Sequence, residues 1–239
     1  MVDYNAPKKD YDFLLNEVLD AIPIVQRLGY SEFDKDFLSM LNEGWGEHVK
    51  EVWLPINQLG DRVGLNFNNG KISMPEEFKK AYKESSEAGW LSTACKPEHG
   101  GMGVPIFFQS VIWAEFGTSA NMALSVLPAL TVGVYEVLVE HGEKELVDYF
   151  AKNIASGKWS GTMCLTEPHA GTDLGMISTK AVPQNDGSYH LTGTKIFITY
   201  GEHDMTENIV HLVLAKTPDA PKGTKGISLF LVPKFMPSG

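Results

Sequence analysis

Two short stretches hold the residue types that could do chemistry. Met163-Cys164-Leu165-Thr166-Glu167-Pro168-His169-Ala170-Gly171-Thr172-Asp173 reads as a strand running into a loop, where Pro and Gly fix an unusual backbone path and aim N–H groups outward. Gly193-Thr194-Lys195-Ile196-Phe197-Ile198-Thr199-Tyr200-Gly201 alternates, so that as a strand it puts Phe197 and Thr199 on one face and Ile196 and Ile198 on the other. A flavin-like ring asks for such a set: donors and acceptors along its polar edge, a hydroxyl near N5 and an aromatic or apolar surface against its face. Leu165 and Thr166 offer the backbone groups, Thr199 the hydroxyl and Phe197 the aromatic face. Each segment alone is better read as ordinary core packing, and only the pair points to a ring.

Other candidates carry less. Glu167 sits inside the first stretch, but a carboxylate just after a strand more often structures its loop than moves protons. His169 and His203 have no His or Cys partner at a ligand spacing, so they read as solvent-facing loop histidines and no metal is expected. Neither G-x-G-x-x-G nor G-x-x-x-x-G-K-[ST] occurs, which argues against a Rossmann or P-loop site. Asp10, Asp12, Glu17 and Asp20 read as one solvated helix face.

The elements that must position these residues follow from pattern. The chain has 239 residues, 43% of them hydrophobic, enough for a packed core. Its 30 acidic against 20 basic side chains disfavour nucleic acid and anionic membrane as partners. Cys95 and Cys164 are too few for a disulfide framework, and the chain opens Met-Val-Asp-Tyr-Asn, which together read as cytoplasmic. Met122–Val139 is interrupted by Ser125, Pro128, Thr131, Tyr135 and Glu136, suiting a buried helix better than a membrane span.

From Asp10 to about Gly157 apolar residues recur at helical spacing, as in Leu38, Leu41, Trp45, Val49 and Val52. Similar stripes over Phe13–Ile22, Phe78–Trp90, Ile106–Phe116, Met122–Val139 and Lys144–Ile154 predict about six helices. Ser73 with Glu76 and Pro75 reads as a capping box opening a helix, and Gly60–Ile72 as a loop or small hairpin. After Gly157 short β-branched runs predict strands over Trp159–Thr166, Ser178–Val182, Tyr189–Thr199, Ile209–Ala215 and Gly226–Val232, with a hairpin turn at Asn185-Asp186-Gly187. The expected fold class is α+β: an N-terminal all-α helical domain over residues 1–157, followed by a truncated antiparallel β-domain over 158–239. The last run ends at Pro233-Lys234-Phe235-Met236-Pro237-Ser238-Gly239 with strand edges left open, so the chain is expected to be a fragment stopping inside its β-domain.

Three motifs then resemble the acyl-CoA dehydrogenase family. Thr166–Asp173 looks like its Thr-Glu-Pro-x-Ala-Gly-Ser-Asp motif, with Thr172 for serine. Lys195–Tyr200 looks like Lys-x-Trp-Ile-Thr-Asn, with Phe197 for tryptophan and Tyr200 for asparagine. Pro97-Glu98-His99-Gly100-Gly101-Met102-Gly103 looks like its Pro-x-x-x-Gly-Gly-x-Gly loop, one residue shorter between the proline and the glycine pair. Tyr4-x-Ala-Pro at the start resembles the longer subfamily with an N-terminal extension, here residues 1–36, which includes 3-methylmercaptopropionyl-CoA dehydrogenase.

The resemblance implies FAD as cofactor, with Met163, Leu165 and Thr166 touching the flavin, Phe197 packing on it and Thr199 bonding near N5. Thr172 would bind the pyrophosphate and lie close to the thioester substrate. Met163 and His169 depart from the residues usual in relatives. It further implies an acyl-CoA substrate, α-proton removal with β-hydride transfer to N5 to give an enoyl-CoA, an electron-transfer flavoprotein or similar acceptor, and a homo-oligomer. In the family the catalytic glutamate lies in a C-terminal helical bundle, so no catalytic residue is named here and the fragment alone is expected to be inactive. An acyl-CoA oxidase on the same scaffold, or a binding module without flavin, remain the alternatives.

Overall fold

The computed structural model describes residues 3–236, except for the side chains of Val111 and Ile112. The expected tail residues 237–239 lie outside them. The chain opens with α1 (Lys8–Phe13), prolonged by a π-turn over Leu14–Val18, and α2 (Ala21–Arg27). The single stripe expected over Phe13–Ile22 is broken because Asp20 takes a left-handed φ of 45°. Leu15, Ala21, Ile22 and Val25 are buried in the core and Tyr11 packs edge-on to Phe116; Asp10, Glu17 and Asp20 are exposed and Asp12 half-buried.

The helix α3 (Lys35–His48) starts at Asp34, whose carboxylate accepts from Phe37 N at 2.8 Å. A π-turn over Val49–Trp53 joins it to α4 (Leu54–Val63). The turn holds one extra residue and rotates the buried face, so Trp53 is buried where the plain helical period pointed to Val52. α4 runs past Gly60, and the expected hairpin follows as β1 (Asn66–Asn68) and β2 (Lys71–Ser73), turned by Asn69 (φ 49°) and Gly70 (φ 78°). That pairing takes Ser73 into the ladder opposite Asn66, so the expected capping box does not form and α5 (Glu76–Glu87) begins at Pro75 without a side-chain cap.

After α6 (Ile106–Phe108) and a π-turn comes α7 (Ala114–His141), which merges two expected helices across a non-helical Asn121. Asn121 acts as an internal cap: its Oδ1 accepts from Leu124 N at 3.1 Å and its Nδ2 donates to Trp53 O at 3.1 Å. α7 is long and apolar enough to cross a membrane by length and composition alone, and half of its most apolar window is buried against the rest of the protein. The last helix is α8 (Lys144–Ala155).

The strands are β3 (Trp159–Cys164), β4 (Lys180–Pro183), β5 (Tyr189–Thr192), β6 (Asn208–Ala215) and β7 (Ser228–Pro233). β4 and β5 form the expected hairpin, with Gly187 at φ 84°. The other three make a sheet in the order β3-β6-β7. The antiparallel expectation holds for β6–β7 but not for β3–β6, which run parallel, because the β4–β5 hairpin and a long turn lie between them and bring the chain back in the same sense. α7 lies directly on β3. A Cβ at Gly161 would meet Val134 at 2.6 Å, and Gly161 N donates to Thr131 Oγ1 at 3.1 Å. Tyr135, Leu138, Phe150, Val210 and Leu212 complete the apolar contact between helices and sheet.

Candidate functional site

Strand β3 ends at Cys164 and the chain folds back on itself, with Glu167 N donating to Ala170 O at 2.8 Å and Ala170 N to Glu167 O at 3.1 Å. Glu167 is 2% exposed. Its Oε2 accepts from Ser178 N (2.7 Å) and Oγ (2.9 Å), and its Oε1 from Thr179 N (3.0 Å), Thr179 Oγ1 (2.5 Å) and Lys195 Nζ (3.0 Å). Burial pushes its pKa up, but these donors outweigh burial and hold it far below the usual carboxylate range. A carboxylate so saturated is the loop-structuring group its position suggested.

Lys195 joins the two stretches. Its Nζ also donates to Leu165 O at 2.8 Å, and the next residue donates Ile196 N to Thr166 O at 2.9 Å. Here the structure departs from the expected strand over Tyr189–Thr199. β5 stops at Thr192, and Phe197 (φ 57°) and Tyr200 (φ 52°) take left-handed backbone, which breaks the two-residue alternation. Gly201 N closes a turn on Ile198 O at 3.0 Å, and the Tyr200 hydroxyl donates to Ala123 O on α7 at 2.6 Å. Burial pushes the Tyr200 hydroxyl up to about 12, so it stays a donor.

Phe197 is thereby held 89% exposed, beside the chain reversal that carries Leu165 and Thr166, both half-buried at the end of β3. Thr199 is exposed at the wall of a cavity of about 400 Å³ lined also by Leu65, Ile72, Met74, Phe78 and Ala123. Thr172 is exposed in the turn that follows Ala170, with its carbonyl accepting from Leu174 N at 3.1 Å. Met163 is half-buried against the α7–α8 core. The structure therefore brings Leu165, Thr166, Phe197 and Thr199 onto one joined pair of turns, with Thr172 further along and Met163 on the helix side of the sheet.

A large side chain at positive φ costs on the order of 1 kcal/mol or more and persists only where its surroundings over-determine it. At Phe197 the Ile196 N–H bond to Thr166 O helps to hold a bare aromatic ring next to half-buried backbone, and an exposed ring there suits a flat, apolar-faced group.

His169 is exposed as expected, its Nε2 lying 3.2 Å from Met176 O. His203 is not solvent-facing: it is 1% exposed. Its Nδ1 accepts from Met205 N at 3.1 Å, which leaves the proton on Nε2 to donate to Ser160 Oγ at 3.0 Å. The loop reverses into the protein there because Asp204 accepts from Met74 N at 2.8 Å and pairs with Lys79 at 2.6 Å, drawing its neighbour under α5. Burial, then the Lys234 charge, push His203 down to about 4, so it is neutral. No three His, Cys, Asp or Glu side chains gather for a metal among the described residues.

Sequence reading missed Lys195, Tyr200 and Asp204 as organisers of the site. Opposite charges at Glu167 and Lys195 were a signal for the first, and the tyrosine at the motif's asparagine position a signal for the second; nothing local pointed to Asp204. The glycine loop is real: Gly100 (φ 97°) and Gly103 (φ 68°) are left-handed, and a Cβ at Gly101 would lie 2.0 Å from Cys95 O.

The sequence matches two profiles of one family: the acyl-CoA dehydrogenase N-terminal domain over residues 68–158, and the acyl-CoA dehydrogenase middle domain over residues 162–239. A 3-methylmercaptopropionyl-CoA dehydrogenase from Ruegeria pomeroyi is 44% identical over 98% of this chain and 40% of its own length. Among solved structures, the acyl-CoA dehydrogenase from Geobacillus kaustophilus is 25% identical, with a TM-score of 0.69 over 86% of this chain and 50% of its own. A chain from the structure described as the electron transferring flavoprotein of Acidaminococcus fermentans is 27% identical, with a TM-score of 0.69 over 84% of this chain and 48% of its own. The chain spans about 40% of the length of the curated relatives it matches. With both profiles in the family's order, and the paired turns formed around Lys195, the chain belongs to the acyl-CoA dehydrogenase family.

Proposed function

We propose that the whole protein carrying this chain is an FAD-dependent oxidoreductase that forms a 2,3-enoyl-CoA from an acyl-CoA thioester. The observation that carries the reading is Phe197: an exposed ring on left-handed backbone, fixed beside the Thr166 carbonyl by the Ile196 N–H. Bound flavin would supply the hydride acceptor. Phe197 would support its face, the Leu165 and Thr166 backbone would bond its edge, Thr199 would stand near N5, and Thr172 would meet the pyrophosphate and the thioester end of the substrate. Met163, packed toward α7 and α8, would reach the flavin from strand β3. Proton abstraction is assigned to no described residue, because Glu167 has both oxygens filled by five donors.

The same proposal includes two domains meeting near residues 157–158, an electron-transfer flavoprotein or similar acceptor, and a homo-oligomer. The likeness to a chain from an electron transferring flavoprotein structure supports the acceptor class. A cytoplasmic location is supported by Cys95 and Cys164, both buried and free. Neither nucleic acid nor a membrane is proposed as a partner, given a net charge of −10.

The test is a visible spectrum of the purified full-length protein, followed by a panel of acyl-CoA thioesters with an artificial electron acceptor, and with oxygen alone to distinguish an oxidase. A flavin spectrum bleached by an acyl-CoA supports the reading. A protein that binds no flavin when FAD is added overturns it in favour of a binding module.

A further inference from the structure

The turn from Lys195 to Gly201 has no strand partner, yet it holds two left-handed residues that are not glycine. At its front it is fixed by Lys195 Nζ on Leu165 O and by Ile196 N on Thr166 O. Its rear depends on Tyr200. A tyrosine at φ 52° gains nothing from its own backbone, whereas asparagine, the residue that the resembling motif has here, adopts left-handed backbone readily. Something outside the turn must therefore over-determine the conformation. The Tyr200 hydroxyl reaches 77 residues back in sequence to the Ala123 carbonyl at 2.6 Å, and its ring packs against the helical core and edge-on to His203 at 5.5 Å.

The anchor at the far end is rigid for its own reasons. Ala123 lies two residues after the non-helical Asn121, in the first turn of the second half of α7. Asn121 caps that half through Leu124 N and is tied to α4 through Trp53 O. Between the front and rear ties stand Phe197, Ile198 and Thr199, so the direction of the Phe197 ring and the place of the Thr199 hydroxyl depend on both.

We infer that Tyr200 is a positioning residue of the cofactor site, acting through its hydroxyl bond to the Ala123 carbonyl to hold Phe197 and Thr199 in register with Leu165 and Thr166. This rests on the flavin reading above. The same bond ties helix α7 to the cofactor-facing turn, and both line the 400 Å³ cavity.

The test is Tyr200→Phe in the full-length protein, which keeps the ring, its packing and the left-handed backbone and removes only the hydroxyl. FAD affinity of the apoprotein, read by quenching of flavin fluorescence, is expected to weaken about fivefold, the size of one neutral hydrogen bond. Chymotrypsin cleavage after the exposed Phe197 in the apoprotein is expected to accelerate relative to cleavage at other sites, a readout that needs no cofactor. Tyr200→Asn, which relieves the backbone but also loses the bond, is expected to behave like Tyr200→Phe. A lowered melting temperature with parent FAD affinity and parent cleavage at Phe197 would reduce Tyr200 to a packing residue and overturn the inference. A parent that binds no FAD overturns the cofactor part, and is told apart because parent and variant then both fail to bind; faster cleavage of the variant at Phe197 would still uphold the tie.

Discussion

Lys195 and Glu167 form an ion pair at 3.0 Å in which the carboxylate side chain is 1% and the lysine side chain 11% exposed. The lysine's second bond, to Leu165 O, means that one ammonium group fixes both the loop after β3 and the turn after β5. Glu167→Gln keeps the shape but turns an NH₂ toward two of the donors now satisfied and leaves Lys195 buried without its counter-charge. The expected cost is about 3–5 kcal/mol, typical of breaking a buried pair from one side, read as a lower urea midpoint of unfolding. Because the folded-state pKa of Glu167 is depressed, its stabilisation is full above the unfolded carboxylate pKa, roughly 4.3, and is lost as pH falls toward the folded value. In Glu167→Gln that acid sensitivity is expected to diminish.

His203 adds a second acid-sensitive step at higher pH. Its pKa is lowered from 6.5 to about 4, so the folded state binds fewer protons than the unfolded chain throughout that interval. The His203 contribution to stability is therefore expected to decline as pH falls from 6.5 and to be spent near 4, by on the order of 2–3 kcal/mol, below which the loss from Glu167 continues. His203→Asn, which can still take a hydrogen bond from Met205 N, should reduce the slope between pH 6.5 and 4, the remainder coming from His48 and His211, whose pKa values burial also lowers. An unchanged slope in that variant would assign the acid sensitivity elsewhere.

The glycine loop gives a steric prediction. A Cβ at Gly101 would sit 2.0 Å from Cys95 O, a backbone atom that already accepts from Gly103 N at 2.9 Å and so cannot swing aside. Gly101→Ala is expected to destabilise by roughly 2–4 kcal/mol through forced backbone displacement. Gly133→Ala, where nothing lies within 4 Å, is the control and is expected to be neutral or slightly stabilising, as a mid-helix glycine replacement.

What was legible in the sequence was what local pattern controls. The stripe Leu38, Leu41, Trp45 and Val49 is buried as its spacing requires, and Asn185-Asp186-Gly187 turns the β4–β5 hairpin because Gly187 needs positive φ. Leu165, Thr166, Phe197 and Thr199 were picked as one set and lie on turns joined by Lys195. The failures came where a distant partner overrode local preference. Ser73 was claimed by Asn66 across a hairpin, His203 was drawn inward beside Asp204, and the alternation over residues 193–201 was broken by a turn whose ties reach Thr166 and Ala123. Asn66 is only seven residues from Ser73, but Met74 and Lys79, Thr166 and Ala123 lie far outside the window that a periodicity argument covers.

Phe197 separates stability from function most sharply. Its side chain is 89% exposed and its φ is 57°, so removing the side chain forfeits little packing and relieves a strained backbone. Phe197→Gly is therefore expected to leave the melting temperature unchanged or raise it slightly, since glycine takes this conformation freely and relief of a left-handed bulky residue is worth about 1 kcal/mol. The same change deletes the surface proposed to support the flavin face, and FAD affinity is expected to fall at least tenfold, as stacking contributes about 0.5–1.5 kcal/mol beyond area burial. Phe197→Trp restores a larger flat surface without removing the strain, and should bind FAD at least as tightly as the parent. Thermal melts and FAD titrations on the three proteins decide the matter: affinity that follows ring size while stability runs the other way identifies a ring kept for its ligand. Equal FAD affinity in the glycine and parent proteins would leave the exposed aromatic without a ligand and remove the observation on which the flavin reading stands.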